Sequence, residues 1–177
     1  LLALGGQNAV SVYGILMTMD GFVHPLLYGM CDSLQPAVGF NWGARNIQRV
    51  KAIEKRCYTA SIILALATTG VLALFPRQIA SLFITGDSDP AYLEMAVSAL
   101  LLFSLTYITR WFSFATQSYM LAVEKPLPAS LISVATALVF PVVLIAALWP
   151  LGLTGIWLNF AGTALLAAGI TWAVTGE

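Results

Sequence analysis

Asp20 and His24 lie four positions apart inside an otherwise apolar run, VSVYGILMTMDGFVHPLLYGM at residues 10–30. On a helix that spacing puts both on one face. Asp20 falls about ten residues in from the outer end of the run, roughly 15 Å along a helix and close to the middle of a bilayer. Desolvation there favours a carboxylate that keeps its proton or holds a cation. The pair is therefore the candidate ion-coupling site, for H+ or Na+, with His24 modulating Asp20. The alternative is a carboxylate held for packing by a polar group of a neighbouring helix, with Arg110 as the partner.

Arg110 and Trp111 sit about twenty residues into a later apolar run. A guanidinium does not give up its charge, so Arg110 needs a carboxylate, carbonyl groups or a water-filled vestibule. An internal ion pair and a site for an anionic ligand are both open. Ser113, Thr116 and Gln117 continue a polar face on the same run, and Gln35 and Asn159 are placed to join it across the bundle. Each of these polar groups serves equally as an interhelical hydrogen bond. Phe22, Tyr28, Phe103, Tyr107, Trp111, Phe112 and Phe114 can line a cavity for small organic cations by cation–π contact, or face lipid. Arg110, Trp111, Gln117, Gln35 and Tyr107 are the substrate-cavity candidates. Asp32, three turns beyond Asp20, is expected to be solvated or to cap a helix end.

Other chemistries find no support. Cys31 and Cys57 form no CxxC motif and have no neighbouring His, so they read as small hydrophobes and no metal site is expected. There is no Walker loop, and a single His cannot build a triad. An enzyme, an ATPase and a cofactor-dependent protein are not expected on these grounds.

The elements that must position these groups are set by composition. Of 177 residues, 59% are hydrophobic and 9% charged, against roughly 25% charged in a soluble domain. The eight basic and eight acidic residues cancel, so nothing points to nucleic acid, and the solvent this chain fits is the lipid bilayer. It reads as an all-α, polytopic membrane helix bundle. Residues 1–9 are the end of a preceding helix and an outer turn at Gly5-Gly6-Gln7-Asn8. Membrane spans are predicted at 10–40, 58–75, 90–122, 127–148 and 153–175. Span 10–40 exceeds the roughly 20 residues a crossing needs, and bends at Pro25 and Pro36 are expected to absorb the excess. Residues 77–85 read as a short interfacial helix, Asp87 or Ser88 as a helix cap, and 149–152 as a tight turn. Leu1 is not an initiator Met and LLALGGQNAV lacks the features of a signal peptide, so the chain is expected to begin inside something longer.

Charge gives the bundle a direction. Arg45, Arg49, Lys51, Lys55, Arg56 and Lys125 fall on one side of the alternating boundaries and Arg77 alone on the other. That asymmetry makes 41–56 and 123–128 cytoplasmic, and puts 5–9, 76–90 and 149–152 outside. Trp42, Tyr92, Trp149 and Trp157 are expected at the interfaces, where amphipathic rings settle.

Three separated blocks carry a resemblance: QPAVGFNWGARNIQRVK at 35–51, YMLAVEKPLPAS at 119–130 and LGLTGIWLNF at 151–160. They are similar, in order, to the Gln-Pro/Phe-Asn/Gly-Ala signature with its basic loop, the Ala-x-Gly-Lys helix break and the Gly-Leu-x-Gly-Ile-Trp start of the last helix in the MATE (multidrug and toxic compound extrusion) family of antiporters. Glu124 stands where that family usually has Gly, and the basic residue common early in its eleventh helix is missing from 131–138. The resemblance covers nearly the whole chain and implies the C-terminal lobe of a twelve-helix, two-lobe transporter, with about five transmembrane helices present. It implies a multi-pass protein of the cytoplasmic membrane that exchanges H+ or Na+ for organic, often cationic, compounds, and whose N-terminal lobe is its missing partner. A flippase for lipid-linked precursors and a non-transporting membrane module are the alternatives. The flippase is favoured if Arg110 and the cytoplasmic cations line one open cavity, and the module if every polar group is paired and no cavity exists.

Overall fold

The structure, a computed structural model, describes residues 1–84 and 90–175, and the described residues are helical without a strand. The expected cap at Asp87 or Ser88 lies outside the described residues. Helix α1 spans Leu2–Asp32, α2 Gln35–Gly43, α3 Ile47–Leu74, α4 Pro76–Phe83, α5 Pro90–Ala122, α6 Pro126–Val134, α7 Phe140–Leu148 and α8 Gly152–Thr175. Four apolar stretches, 2–43, 47–74, 90–122 and 126–175, are long enough to cross a membrane. The last turns back at Gly152, so the bundle has five long arms.

Prolines and glycines decide where the arms break. Pro36 has no N–H and its ring would collide with the Asp32 carbonyl one turn back, so α1 stops and α2 restarts with Pro36 in its first turn. Pro25, where a bend is expected, keeps helical dihedrals; the one non-helical residue inside α1 is Gly6, at φ +62°. The polar turn expected at 5–9 is thus a kink within a continuing helix. Before Pro141 the backbone widens into one π-helical turn, Ala135–Val139, which relieves the contact between the proline ring and the carbonyl four residues earlier. After α7, Trp149–Leu151 tighten into a 3-10 turn and Gly152 takes φ +61°, a conformation open to glycine at no steric penalty. That turn lays α8 back along α7.

Helix α5 is the centre of the bundle and packs against α1, α2, α3, α4, α6 and α8. Its buried face is rich in small and hydroxyl residues, among them Ala96, Ala99, Ser104, Ser113, Ala115, Thr116 and Ser118. Lipid tails are as apolar as leucine, so helices in a membrane gain from close backbone approach and interhelical hydrogen bonds rather than from hiding leucine. Large apolar side chains accordingly point outward, as at Leu66, Leu127, Leu131, Leu165 and Trp172. Trp157, expected near an interface, is buried in the core cluster that holds Val12, Phe103 and Tyr107.

The ends of the bundle differ in charge. Val38 of α2, Val50 of α3 and Val123 pack together, which brings the 41–56 and 123–128 segments to one end, where all six basic side chains are exposed. At the other end Arg77 of α4 is paired with Glu94 of α5. Asn46 caps α3 by accepting from the Arg49 amide at 3.2 Å.

Candidate functional site

Asp20 and His24 stand one turn apart on α1, and Tyr107, Arg110 and Phe114 stand at i, i+3 and i+7 on the facing stripe of α5. The two stripes meet inside the bundle. Arg110 Nη1 donates to Asp20 Oδ1 at 2.7 Å, and the Tyr107 hydroxyl donates to the same oxygen at 2.8 Å. The second carboxylate oxygen, Oδ2, faces His24 Nδ1 at 3.6 Å, a separation for an ion pair and not for a hydrogen bond. The side chains of Asp20 and Arg110 are 17% and 21% exposed, so the pair is shielded and sequence distance is bridged by charge. The partner weighed for Asp20 from sequence, Arg110, is the one it has.

An aromatic patch continues the cluster. The His24 ring lies 4.8 Å from Phe114 and 5.9 Å from Tyr28, and the Arg110 guanidinium sits 5.5 Å over the Phe114 ring. On the far side of Arg110, between α5, α8 and the π-helical turn, opens a cavity of about 170 Å³. Ser113, Thr136, Asn159 and Thr163 give it polar walls, and Phe114, Pro141 and Phe160 apolar ones. The Thr136 hydroxyl returns to the Ile132 carbonyl at 2.7 Å, and Thr163 donates to Asn159 Oδ1 at 3.4 Å.

The remaining sequence candidates do not gather there. Gln35 donates to Asp32 Oδ1 at 2.7 Å and to the Ser118 hydroxyl at 3.1 Å, and Ser118 donates to Asp32 at 3.0 Å. Asp32, half-buried at the end of α1, thus accepts from α2 and α5, and Gln35 reaches Ser118 rather than Arg110 or Asn159. Trp111 donates to the Ile108 carbonyl at 2.9 Å and packs edge-on to Tyr58 of α3 and to Phe112. Gln117 is buried and lines none of this cavity. The expected aromatic cage is divided: Phe103 and Tyr107 belong to the core, Trp111 and Phe112 to the α3 side, Tyr28 and Phe114 to the Asp20 cluster, and Phe22 is exposed. Tyr107 acts through its hydroxyl and not as a cavity wall. Its spacing from Arg110 carried part of that signal, because residues three apart on a helix share a face and can reach the same partner.

The MatE family profile matches residues 1–146. Among solved structures, MATE in complex with MaL6 superposes with a TM-score of 0.88 at 20% identity, over 98% of this chain and 39% of that one. The inward-facing conformation of a multidrug resistance MATE family transporter of the MOP superfamily gives 0.88 at 20% identity, over 98% and 40%. A MOP superfamily transporter from Pyrococcus furiosus Vc1 (DSM3638), described by a reverse polarity of its binding pocket that suggests a different function, gives 0.87 at 20%, over 98% and 39%. The chain spans about two fifths of the length of the solved structures it matches. No curated protein matches it.

Proposed function

The chain belongs to the MatE family of membrane transporters, and from that premise we propose that it is one lobe of a secondary active antiporter that exchanges H+ or Na+ for organic compounds across the cytoplasmic membrane. The observation that carries the proposal is the shielded Asp20–Arg110 pair next to the 170 Å³ cavity. Ionisable groups inside a membrane are costly, by roughly 2.5 to 3.5 kcal/mol each on insertion scales, and a pair beside a space for cargo is where ion and cargo can act on one another. An inward-facing and an outward-facing conformation, each of a multidrug resistance MATE family transporter of the MOP superfamily, match this chain equally, each at a TM-score of 0.88. That equality supports a lobe that rocks as a body, as alternating access between two halves requires.

The alternatives are less well supported. A flippase would be favoured by Arg110 and the cytoplasmic cations in one open cavity, yet Lys125 lines a separate cleft of about 850 Å³ with Glu54 and Trp172. A closed module with every polar group paired would leave no room for the 170 Å³ cavity. The test is gradient-driven transport by the full-length protein in proteoliposomes, with Asp20→Asn and Asp20→Glu. Transport is expected to follow an imposed H+ or Na+ gradient, to be lost in Asp20→Asn and to be partly kept in Asp20→Glu. Unchanged transport by a correctly inserted Asp20→Asn protein would remove Asp20 from the coupling step.

A further inference from the structure

We infer that the cavity beside Arg110 takes the anionic head, carboxylate or phosphate, of an organic anion, and that this head competes with Asp20 for the guanidinium. The inference deepens the antiporter reading and rests on it for the cavity's role in transport. Among the described residues the cavity carries one ionic side chain, Arg110, and no carboxylate. A cation entering it would meet the Arg110 guanidinium on the wall and no carboxylate there, since Asp20, which offsets the Arg110 charge, is outside the lining.

The donors are arranged for an acceptor. A guanidinium has five N–H groups in a planar fork, and Asp20 takes Nη1. Nothing else among the described residues accepts from Arg110, so the rest of the fork is available where the side chain borders the cavity. Asn159 is buried, with its carbonyl oxygen accepting from Thr163, which leaves its amide N–H groups for a ligand. Ser113 adds a hydroxyl on the α5 wall. Planar two-point recognition of carboxylate or phosphate is what this fork does best.

Size and shape select an amphiphile. About 170 Å³ exceeds the roughly 150 Å³ of an apolar cavity that holds benzene, so one aromatic ring with a small charged group fits. Phe114 and Phe160 offer that ring stacking faces. Competition follows from counting charge: Asp20 and the ligand head are two anions for one guanidinium, so whatever neutralises or removes the Asp20 charge strengthens ligand binding. The lobe thereby links the state of Asp20 to cargo occupancy through one side chain.

The experiment is equilibrium binding to the purified full-length protein in neutral detergent, with benzoate, its neutral analogue benzamide and the cation benzylamine. Benzoate is expected to bind and benzylamine not to. Arg110→Met and Asn159→Asp are each expected to weaken benzoate by about tenfold or more, the loss of one charge-assisted contact. Asp20→Asn is expected to tighten it by a similar factor, a gain that a merely structural pair would not produce. Asn159→Asp leaves both Asp20 and Arg110 in the protein and puts a fixed anion on the cavity wall, so it tests the cavity where Arg110→Met fails to fold. Phosphatidate in nanodiscs forms a second arm: Arg110-dependent binding of phosphatidate without benzoate binding would assign the same anionic chemistry to a lipid headgroup. Benzylamine bound in preference to benzoate, or binding of both anions untouched by Arg110→Met and Asn159→Asp, would overturn the inference. Gradient-driven transport is read separately, so Arg110-dependent benzoate binding with no ion-driven transport would sink the antiporter reading and leave the site.

Discussion

Arg110 and Asp20, ninety positions apart in the chain, share a hydrogen bond of 2.7 Å between Nη1 and Oδ1 in the middle of the bundle. The bond ties α1 to the central helix α5 at one point, and Tyr107 adds a second donor to the same carboxylate oxygen. In water such a pair would be worth little, but with both side chains about four-fifths covered each charge depends on the other, because an ion stranded there lacks solvent.

Charge exchange across this pair is the direct stability test. Arg110→Asp places two carboxylates face to face, and Asp20→Arg two cations, so each single variant is expected to lose about 3 kcal/mol or more. The double variant Asp20→Arg/Arg110→Asp restores opposite charges and should recover much of the loss. A coupling energy near zero in a double-mutant cycle of thermal unfolding in detergent would show that the two side chains do not hold one another.

Glu124 has φ +59°, and the Lys125 amide reaches back to the Met120 carbonyl at 2.8 Å, the bond that closes a helix end through a left-handed residue. A side chain there costs about 1 to 2 kcal/mol over glycine. Glu124→Gly is therefore expected to raise the unfolding free energy by about 1 kcal/mol and the melting temperature with it. A second helix end at the same basic pole has the same geometry at Arg45, φ +56°, where the Asn46 amide reaches the Asn41 carbonyl at 2.8 Å. Arg45→Gly should show the same sign, and a melting point lowered by both changes would refute the strain argument.

Much of this was legible from residue type. A helical spacing of four places Asp20 beside His24 whatever the packing, and a buried arginine needs a carboxylate, carbonyl groups or water, which put Arg110 among the partners weighed for Asp20. Helix breaks at Pro36 and Gly152 follow from backbone sterics. Partner choice across helices was less accessible. Gln35 meets Ser118 instead of Gln117 or Asn159 because a neighbour on α5 points about 100° away, and the rotation of α5 against α2 is a product of packing. Trp157 shows the same limit: its depth near a helix end can be counted along the chain, but lipid-facing and protein-facing positions are both apolar, so sequence does not tell the core face from the outer one.

Gly155 is expected to resist any side chain. A Cβ built there falls on the Leu148 carbonyl oxygen and within 3.1 Å of the Leu148 carbonyl carbon and Cβ, so α7 and α8 can approach only because residue 155 has none. Gly155→Ala must push the α7–α8 turn open, at a cost of about 3 kcal/mol. Gly169, on the same helix with open space around its Cβ position, serves as the control: Gly169→Ala should stabilise by about 0.5 to 1 kcal/mol through helix propensity. Equal effects of the two alanines on thermal unfolding would mean that helix contact at Gly155 is not limiting.

Thr106 sits on the buried face of α5 at 1% exposure, and its hydroxyl has no hydrogen-bond partner among the described residues. Neighbouring hydroxyls on the same helix are satisfied, as at Ser104, which donates to the Leu101 carbonyl at 2.7 Å. A buried unsatisfied hydroxyl costs about 1 to 3 kcal/mol, whereas valine fills the same volume with nothing to satisfy. Thr106→Val is therefore expected to raise stability by about 1 kcal/mol while leaving benzoate binding unchanged, because Thr106 lines no part of the Arg110 cavity. Thr106→Ala separates the two contributions, since it removes the orphan oxygen but also a methyl group, and should fall below Thr106→Val. If valine instead lowers the melting temperature, the hydroxyl has a partner, such as a water, and the face of α5 around Thr106 is wetter or more crowded than the described residues show.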